Sequence, residues 1–561
     1  MRISFPLNVY AHALLLEEGH ADYLHYGLFK EGVSSIKEAQ RYSADLVLQQ
    51  LPPPPCKVLG IGTDLGTTLK LLTEMGYQAQ GITPSSDHAT YMQTLGNFTP
   101  NLGSFDAILL QESIQYIEPV VIFNQALDYL KDSGSLLIID KFSLRDKEPV
   151  EHSLHKLTAI LALAKRFSFS LQAHLDLSRY AGSTLDYLLN ITEKHRDSLV
   201  TDLSVSLEQL TQLSASNKAD KANYVQGYDG YALLHFKKDH LPKWQLRSFE
   251  KKYFSALQTL FKQSFKKVLS TELWQWKYAH PLAQALCTWN KDSLTGHYGG
   301  MPRDILFFGE QHTAVQIGDV MVDPTQRGAL NRKGPFFMMA STFIESYIGF
   351  GKPFLLGFGF PNARAMQVAE YLGLYSPVGQ MLKFSWPAVQ GRSYFLTTFR
   401  VLEKKNLAQY KEDINALWQG MAKGLGQDIV GVRDYAYVHN RYNQHPENNY
   451  QFMLIRSRFT QKPQGLVIMT ANDECCEIID LICAIQQVPL LVRYAQHYTA
   501  TLKCTQLACQ ITQSFAQYFT TSDAHHEVLD VHIASNIWSD GPTPEQIKGH
   551  WWLMSGDMDY R

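Results

Sequence analysis

The chain has 561 residues, and its 45% hydrophobic content is typical of globular proteins. Its formal net charge of −2 at pH 7 lacks the basic excess of an electrostatic nucleic-acid binder. No apolar run approaches the ~18 residues of a membrane span, and no signal peptide is recognisable. We therefore predict a cytoplasmic protein of several domains.

A strand, a glycine-rich turn, a helix and a second strand are predicted directly after four consecutive prolines. The first strand starts after the prolines, at residue 58, because proline does not occur in a central strand. Gly62 and Gly66 break the apolar run, and helical spacing extends from Thr67 to Gly76. Such a turn points backbone N–H groups at a ligand. Taken alone, it is equally typical of an ordinary strand-to-helix connection.

The elements that follow complete the pattern of a doubly wound α/β sheet. A third strand at residues 105–110 runs into a polar Gln-Glu-Ser sequence, and a fourth follows at residues 136–140. This order resembles the class I S-adenosylmethionine-dependent methyltransferases, in particular the branch of cyclopropane fatty acid synthases and tocopherol methyltransferases. The matching pieces, within about residues 20–240, are His25-Tyr26-Gly27-Leu28-Phe29, Glu38-Ala39-Gln40, residues 58–66, Gly81-Ile82-Thr83-Pro84-Ser85, Gln111-Glu112-Ser113 and Gly134-Ser135-Leu136-Leu137.

This resemblance implies a Rossmann-like domain that binds S-adenosylmethionine. It implies cofactor contacts at Gly62, Thr63, Asp64, Gly66, Thr83, Gln111, Glu112 and Ser113. The candidate catalytic residues are Glu112, His25 and Tyr26, the latter two in a segment that would close over the cofactor. Simple packing of His25 and Tyr26 in an aromatic cluster is the alternative.

Three positions depart from the family pattern. Gly60 stands where an acid usually follows the first strand, and Asp64 stands where a glycine is usual. Thr83 replaces the acid that commonly ends the second strand, as it does in the lipid branch. These departures concern cofactor affinity more than the fold.

The first domain is predicted to end near residue 242, at a polar stretch with a proline. Apolar residues at helical spacing predict a helical cap insertion at about residues 149–222. The residues after it, up to 236, are predicted to form the final strand pair of the sheet. This assigns residues 1–242 to one domain.

A second α/β unit is predicted from residue 243. A strand at residues 314–322 runs into an arginine- and glycine-rich loop, which opens a helix at residues 336–347. Free N–H groups at a helix start favour an anion, and Arg332 and Lys333 add positive charge. A further strand leads to a helix that begins near Asn362.

Residues 245–386 resemble the GNAT acyltransferases. The resemblance rests on Val322-x-Pro324, Arg332-Lys333-Gly334 and the Phe360-Pro361-Asn362 helix start. It implies acetyl-CoA or another acyl-CoA as cofactor. The implied cofactor contacts are Val322, Arg327, Arg332, Lys333, Gly334 and Asn362. Residues 326–328 and 332–334 both remain candidates for the pyrophosphate site, and we favour the second because it adjoins the helix.

The catalytic tyrosine common in this family falls on Ala369, with Tyr371 and Tyr375 nearby but out of register. A catalytic domain and a degenerate, non-catalytic one therefore both stay open. Asp319 and Glu310 are possible bases.

An internal repeat predicts a second, degenerate GNAT-like domain at residues 395–561, after a first one at residues 243–394. Trp276-Lys277-Tyr278-Ala279-His280-Pro281 is echoed by Asn440-Arg441-Tyr442-Asn443-Gln444-His445-Pro446. Helices are predicted at residues 478–486 and 508–519. The second copy lacks an arginine- and glycine-rich loop, and acids near residue 474 would repel a pyrophosphate. It is therefore structural, or it contributes to the acceptor site.

The sequence supports the hypothesis of a bifunctional transferase that uses S-adenosylmethionine and acyl-CoA on a small-molecule acceptor. One alternative is a methyltransferase whose C-terminal half only recognises the substrate. Another is a non-catalytic docking protein that senses S-adenosylmethionine. The cysteine and histidine spacings predict no metal site.

Overall fold

The computed structural model describes residues 5–62, 65–82, 98, 100–145, 154–327, 332–390, 395–472 and 474–559. The chain forms two compact units, Met1–Ser248 and Phe249–Arg561. In these described ranges, no helix combines the length and apolar character that crossing a membrane requires. Both units mix helices with a sheet, so the predicted α/β class is confirmed.

The first unit is built on a six-stranded sheet. Its strands are β1 (Lys57–Ile61), β2 (Gln78–Ile82), β3 (Phe105–Gln111), β4 (Leu130–Ser143), β5 (Phe169–Asp176) and β6 (Asp229–Lys238), and a short β7 (Gln245–Ser248) ends the unit. The sheet order is β2-β1-β3-β4-β6-β5, with β6 antiparallel to β4 and β5 and the other pairs parallel. The order reverses between β1 and β3, and in doubly wound sheets ligands bind at the carboxyl ends of the strands at such a reversal.

The segment predicted as a helical insertion also contains a strand. The helices of the first unit are Leu7–Glu18, Ile36–Gln50, Thr67–Glu74, Pro119–Tyr129, Leu157–Arg166, Ser178–Lys194, Arg196–Leu203 and Leu207–Gln226. β5 interrupts the series as an edge strand, and it pairs with β6. Its apolar residues alternate with polar ones, so the period of two was present in the sequence. The predicted strand pair near residue 230 is a single strand, β6, because the helix before it continues to Gln226.

The second unit contains one continuous sheet. Its strands are β8 (Gln284–Asn290), β9 (Ser293–Phe307), β10 (Glu310–Val322), β11 (Gly357–Gly359), β12 (Tyr375–Pro387), β13 (Thr397–Leu402), β14 (Ile429–Gly431), β15 (Gln451–Ser457), β16 (Pro463–Ala471), β17 (Cys475–Cys483), β18 (Gln506–Thr512), β19 (His525–Asn536) and β20 (Trp551–Trp552). The order is β13-β15-β16-β17-β18-β12-β19-β11-β10-β9-β14-β20, and β8 also pairs with β9.

The two halves of this unit, residues 249–394 and 395–561, repeat one pattern and exchange strands. A parallel pair occurs in each half, β10 with β11 and β17 with β18. β19 of the second half lies between β11 and β12, while β12 of the first half pairs with β18. Each half therefore completes the sheet of the other.

Two helices predicted in the second half begin as strands. β17 occupies most of the first, and β18 occupies the second up to Thr512, after which Gln513–Tyr518 forms a 3-10 helix. Residues 476 and 478–483 of β17 are all buried, and such a run shows no alternation that would distinguish a strand from a helix. The helices of the second unit are Phe254–Phe265, Thr271–Lys277, Pro335–Tyr347, Ala363–Tyr371, Lys411–Gly424, Tyr435–Val438, Val488–Thr501 and Pro544–Ile547. Glu474 lies between β16 and β17, not at the start of a helix.

Candidate functional site

The turn after β1 approaches the end of β3 so closely that residue 62 has to be glycine. Gly62 has a φ of +74°, and a Cβ there would lie 2.2 Å from the Cβ of Ser113. The Gly62 N–H donates to the carbonyl of Ile82 at 3.0 Å, and Ser113 Oγ donates to the carbonyl of Ile61 at 2.9 Å. The carboxyl ends of β1, β2 and β3 are thus tied together where the sheet order reverses.

A buried amide beside this turn fits a ligand that carries acceptor atoms. Gln111 is 1% exposed, and its Oε1 accepts a hydrogen bond from Thr68 Oγ1 at 2.9 Å. Within the described residues, its buried Nε2 has no hydrogen-bond partner. Gly66, with a φ of +80°, precedes the helix that starts at Thr67. The predicted contacts Thr63, Asp64 and Thr83 lie outside the described residues.

Glu112 connects the N-terminal segment to the sheet. Its Oε1 accepts hydrogen bonds from the N–H of Tyr26 and the hydroxyl of Tyr231, each at 2.6 Å. Burial raises the pKa of Glu112, and the two hydrogen bonds and the charge of Lys141 oppose that effect. The φ of +50° at Glu112 is rare for a residue with a side chain. Such backbone strain is commonest at functional sites.

Lys141, which the sequence analysis did not select, lies in the same cluster. Its Nζ is 5.4 Å from the centre of the Tyr26 ring and 3.8 Å from Asp220 Oδ2. The neighbouring Asp140 is fully buried, and burial followed by the charge of Glu112 raises its pKa to about 7. The only signal in the sequence was the pair of charged residues that follows the apolar run of β4.

His25 lies in the arrangement that the packing interpretation predicts. It is 2% exposed, and its Nε2–H donates to the carbonyl of Gln40 at 3.1 Å. Gln40 Nε2 donates back to the carbonyl of His25 at 2.9 Å. Burial lowers the pKa of His25 to about 4, so the ring is neutral near pH 7. The pair anchors the N-terminal segment to the helix Ile36–Gln50.

We expect this histidine to make the protein sensitive to acid. The unfolded pKa is 6.5 and the folded value is about 4. The contribution to stability is therefore present above the unfolded pKa and is lost as pH falls towards the folded pKa. Between about pH 7 and about pH 4.5, His25 should remove about 2–3 kcal/mol from the free energy of unfolding. Urea denaturation of the wild type and of His25→Gln measures the difference, and an equal pH dependence in both would contradict this account.

A cavity of about 740 Å³ opens in the second unit where β10 and β11 separate. The two strands pair only at Val315 with Gly357 and at Gln316 with Phe358. Beyond these pairs, residues 317–320 and residues 359–362 line the cavity. Separated strands leave backbone N–H and C=O groups without a ladder partner, and a ligand can bind them.

Asp319 lies in this cavity at the centre of a buried polar network. Its Oδ1 accepts from Lys277 Nζ at 2.7 Å, and its Oδ2 accepts from the hydroxyl of Tyr278 at 3.0 Å. His297 Nδ1–H donates to the carbonyl of Asp319 at 2.9 Å. The other predicted base, Glu310, is 83% exposed at the start of β10. Asp319 is therefore the one of the two that lines the cavity.

A second carboxylate, Asp559, reaches the same place from the end of the chain. Its Oδ2 lies 3.4 Å from the N–H of Asp319 and 3.8 Å from Lys277 Nζ. A Cβ on Gly318 would lie 2.6 Å from that oxygen, so only glycine leaves room for it. Burial raises the pKa of Asp559, Lys277 opposes the shift, and Asp319 adds to it. The two carboxylates thus share one lysine.

Arginines of the second half hold the C-terminal segment that carries Asp559. Arg441 donates to the carbonyls of Gly556 at 2.9 Å and Met558 at 2.5 Å. Arg433 Nη2 donates to Asp557 Oδ2 at 2.6 Å. The second half therefore positions Asp559, a residue that sequence reasoning did not select, in the cavity of the first half.

The two echoed sequence segments contact each other. Trp276 Nε1 donates to the carbonyl of Asn440 at 2.7 Å, and its ring centre lies 4.4 Å from that of His445. Tyr442 donates to Asp480 at 2.7 Å, as Tyr278 does to Asp319 in the first half. Asp480 is fully buried and is also bound by Arg433. The equivalent aspartate of the second copy is thus enclosed in the protein interior.

A pair of phenols lines the cavity in place of the missing tyrosine. The hydroxyls of Tyr298 and Tyr375 are hydrogen-bonded, and burial raises both pKa values. Ala369 lines the cavity too, whereas Tyr371 is 79% exposed. The phenol near the usual position therefore comes from β12, not from the helix before it.

The predicted acyl-CoA contacts fall in different places. Asn362 lines the cavity and caps the helix Ala363–Tyr371, accepting from the N–H of Ala365 at 2.9 Å. Gly334 precedes the helix Pro335–Tyr347 and leaves its first turn without a side-chain cap. Arg327 Nε donates to the carbonyl of Val322 at 2.9 Å.

Arg332 and Lys333 are exposed next to that helix start. The Arg332 guanidinium lies 5.3 Å from the ring centre of Trp538. Residues 328–331 of the loop are outside the described part of the chain. An uncapped helix start beside two cations suits a pyrophosphate, so the described residues fit acyl-CoA.

Among the described residues, no group of three or more His, Cys, Asp and Glu is placed to hold a metal ion.

The acetyltransferase (GNAT) domain family matches residues 245–365. The matched range contains β10, the loop after it and the helix Pro335–Tyr347. This confirms the acyltransferase resemblance for that part of the chain. A search of curated proteins finds no match.

Solved structures with low sequence identity to this chain include the following three. A protein from Enterococcus faecalis V583 described as a "probable N-acyltransferase" has 13% identity and a TM-score of 0.43, over 52% of this chain and 72% of that chain. The cyclopropane synthase MmaA2 from Mycobacterium tuberculosis has 15% identity and a TM-score of 0.35, over 41% and 94% of the two chains. Geranyl diphosphate C-methyltransferase from Streptomyces coelicolor A3(2) has 13% identity and a TM-score of 0.29, over 42% and 100%.

Proposed function

We propose that the second unit transfers an acyl group from acyl-CoA to a small-molecule acceptor. The observation that carries this proposal is the cavity at the separation of β10 and β11, which Asp319, Asp559 and Tyr375 all line. It combines proton acceptors, a proton donor and open strand edges, and these are the groups that acyl transfer requires.

In this proposal acyl-CoA supplies an activated acyl group as a thioester. The carboxylate pair of Asp319 and Asp559 takes the proton from the attacking group of the acceptor. Lys277 lies 2.7 Å from Asp319 Oδ1 and 3.8 Å from Asp559 Oδ2, and it balances the charge of the pair. The Tyr375 hydroxyl, oriented by Tyr298, holds a proton for the departing sulfur. The absence of a tyrosine at residue 369 therefore does not remove the proton donor.

The first unit is proposed to bind S-adenosylmethionine and to catalyse methyl transfer. The observation that supports methyl transfer is the close approach of Gly62 to Ser113, because it shapes the turn at the point where the strand order reverses. The cofactor supplies a methyl group on a sulfonium, and positioning of the acceptor gives most of the rate in a direct displacement. Glu112 fixes Tyr26 beside that edge, and its raised pKa suits proton transfer when the acceptor needs deprotonation. Both activities are proposed to act on one small metabolite.

Acyl-CoA binding is expected to depend on Arg332 more than on Arg327. Arg332 lies beside the uncapped helix start, whereas the Nε of Arg327 is bound to its own loop. Calorimetric titration with acetyl-CoA should give a Kd for Arg332→Ala about 10-fold to 100-fold higher than for the wild type, because one or two charge-assisted hydrogen bonds are lost. Arg327→Ala is the matched control and should change the Kd less. No binding of acetyl-CoA to the wild type would overturn the acyl-transfer proposal.

A further inference from the structure

A second cavity, of about 750 Å³, adjoins the first and lies on the second half of the unit. Its floor is one face of the neighbouring strands β17, β18, β12 and β19. On β17 the lining residues are 475, 477 and 479, because alternate side chains of a strand share a face. Asn448 and Val531 line both cavities, so the two are neighbours.

Polar side chains cross this floor from strand to strand. Gln510 Nε2 donates to Glu477 Oε1 at 2.9 Å, although Gln510 is only 6% exposed. Lys383 stands opposite Gln510 in the register of β12 and β18. Its Nζ lies 3.1 Å from Glu527 Oε1. A polar floor of this kind can bind a ligand through hydrogen bonds and charge, whereas an apolar face would pack against another protein surface.

The charge along the two cavities is negative. Five carboxylates and three lysines line them: Asp319, Glu447, Asp530, Asp559 and Glu477, with Lys267, Lys277 and Lys383. Lys277 and Lys383 are each within hydrogen-bond distance of a carboxylate. His445 at the junction does not add charge near pH 7, because burial lowers its pKa to about 4. The net negative charge of the two cavities favours a cationic ligand.

We propose that the acyl acceptor is a linear polyamine that spans both cavities. Its reacting amine lies at Asp319 and Asp559, and a distal ammonium group lies beside Glu477 in the second cavity. This inference rests on the proposed acyl transfer for the reacting end, but binding in the second cavity is testable without it. The strand exchange gives a reason for the arrangement, since β12 and β19 belong to the walls of both cavities.

Calorimetric titration with spermine and with n-butylamine tests this assignment. Spermine is expected to bind the full chain at least about tenfold more tightly than butylamine, because only spermine reaches the second cavity. Ala508→Trp fills that cavity and should abolish the difference, while Glu477→Gln, which keeps size and shape, should reduce it severalfold. Acetyl-CoA should bind all variants equally.

The outcomes separate the two proposals. Three results would overturn the polyamine assignment. These are no binding of spermine to the wild type, binding of spermine no tighter than that of butylamine, and binding of spermine to both variants as tight as to the wild type. Should Ala508→Trp fail to fold, Glu477→Gln decides by itself. Loss of the acetyl-CoA signal with an intact spermine preference would instead contradict the acyl-transfer proposal.

Discussion

Asp559→Asn is expected to lower the kcat of acyl transfer by roughly 10²–10⁴-fold, the contribution typical of a general base. Asparagine keeps the size of the side chain, and its amide cannot accept a proton. The Kd for acetyl-CoA should stay unchanged, because Asp559 is placed for the acceptor side of the reaction. Steady-state kinetics with spermine as acceptor, combined with acetyl-CoA titration, measure the two quantities separately.

The pH dependence gives a readout that a purely structural role of Asp559 would not change. Burial raises the pKa of this carboxyl, so the wild-type kcat/KM should increase with pH as Asp559 loses its proton. Asp559→Asn should shift this increase of kcat/KM with pH or abolish it. Glu310→Gln is the matched control, since Glu310, the other predicted base, is 83% exposed and does not line the cavity. An unchanged pH profile with full kcat in Asp559→Asn would exclude Asp559 as the base.

Gly62→Ala is expected to weaken S-adenosylmethionine binding by more than about tenfold and to lower the free energy of unfolding by roughly 1–3 kcal/mol. The added Cβ would meet Ser113 Cβ at 2.2 Å, far inside contact distance, at a φ of +74°. The turn must move away from β3, and the cofactor edge of the sheet moves with it. Calorimetry measures the Kd, and urea denaturation measures the stability.

Gly76→Ala separates backbone strain from the clash. Gly76 also has a positive φ, +88°, but the nearest atom to an added Cβ is Pro54 Cβ at 3.8 Å. This control should cost about 1–2 kcal/mol of stability through left-handed strain and leave the Kd for S-adenosylmethionine unchanged. Equal Kd values for the wild type and Gly62→Ala would remove the turn from the proposed cofactor site.

Local signals were sufficient for the elements that carry the first site. The prolines before residue 58, the glycines at 62 and 66 and the helical spacing after them predicted β1, its turn and the helix Thr67–Glu74. These features depend on φ limits and side-chain periodicity over a few residues, so they can be recognised without tertiary contacts. The same holds for Asn362, whose side chain caps the helix that it was predicted to open.

Buried and edge strands were harder to assign. β17 is almost wholly buried, so its apolar run has no alternation, and the prediction of a helix there was wrong. β5 has the alternating pattern of an edge strand, but it lies among helices and was included with them. The apolar pattern of both strands depends on tertiary burial. A strand covered on both faces needs apolar side chains throughout, whereas an edge strand with one exposed face needs them only at alternate positions.

The sequence by itself determined the α/β class, the order of most elements and the chemistry available at the two loops. It also showed the echo between Trp276 and the segment near residue 440. Only the tertiary structure decided that these segments touch, that β12 and β19 exchange between the halves, and that Asp559 joins Asp319 across 240 positions. The physical reason is distance along the chain. A turn or a cap is fixed by neighbours in sequence, whereas a lysine shared by two carboxylates depends on how distant segments pack.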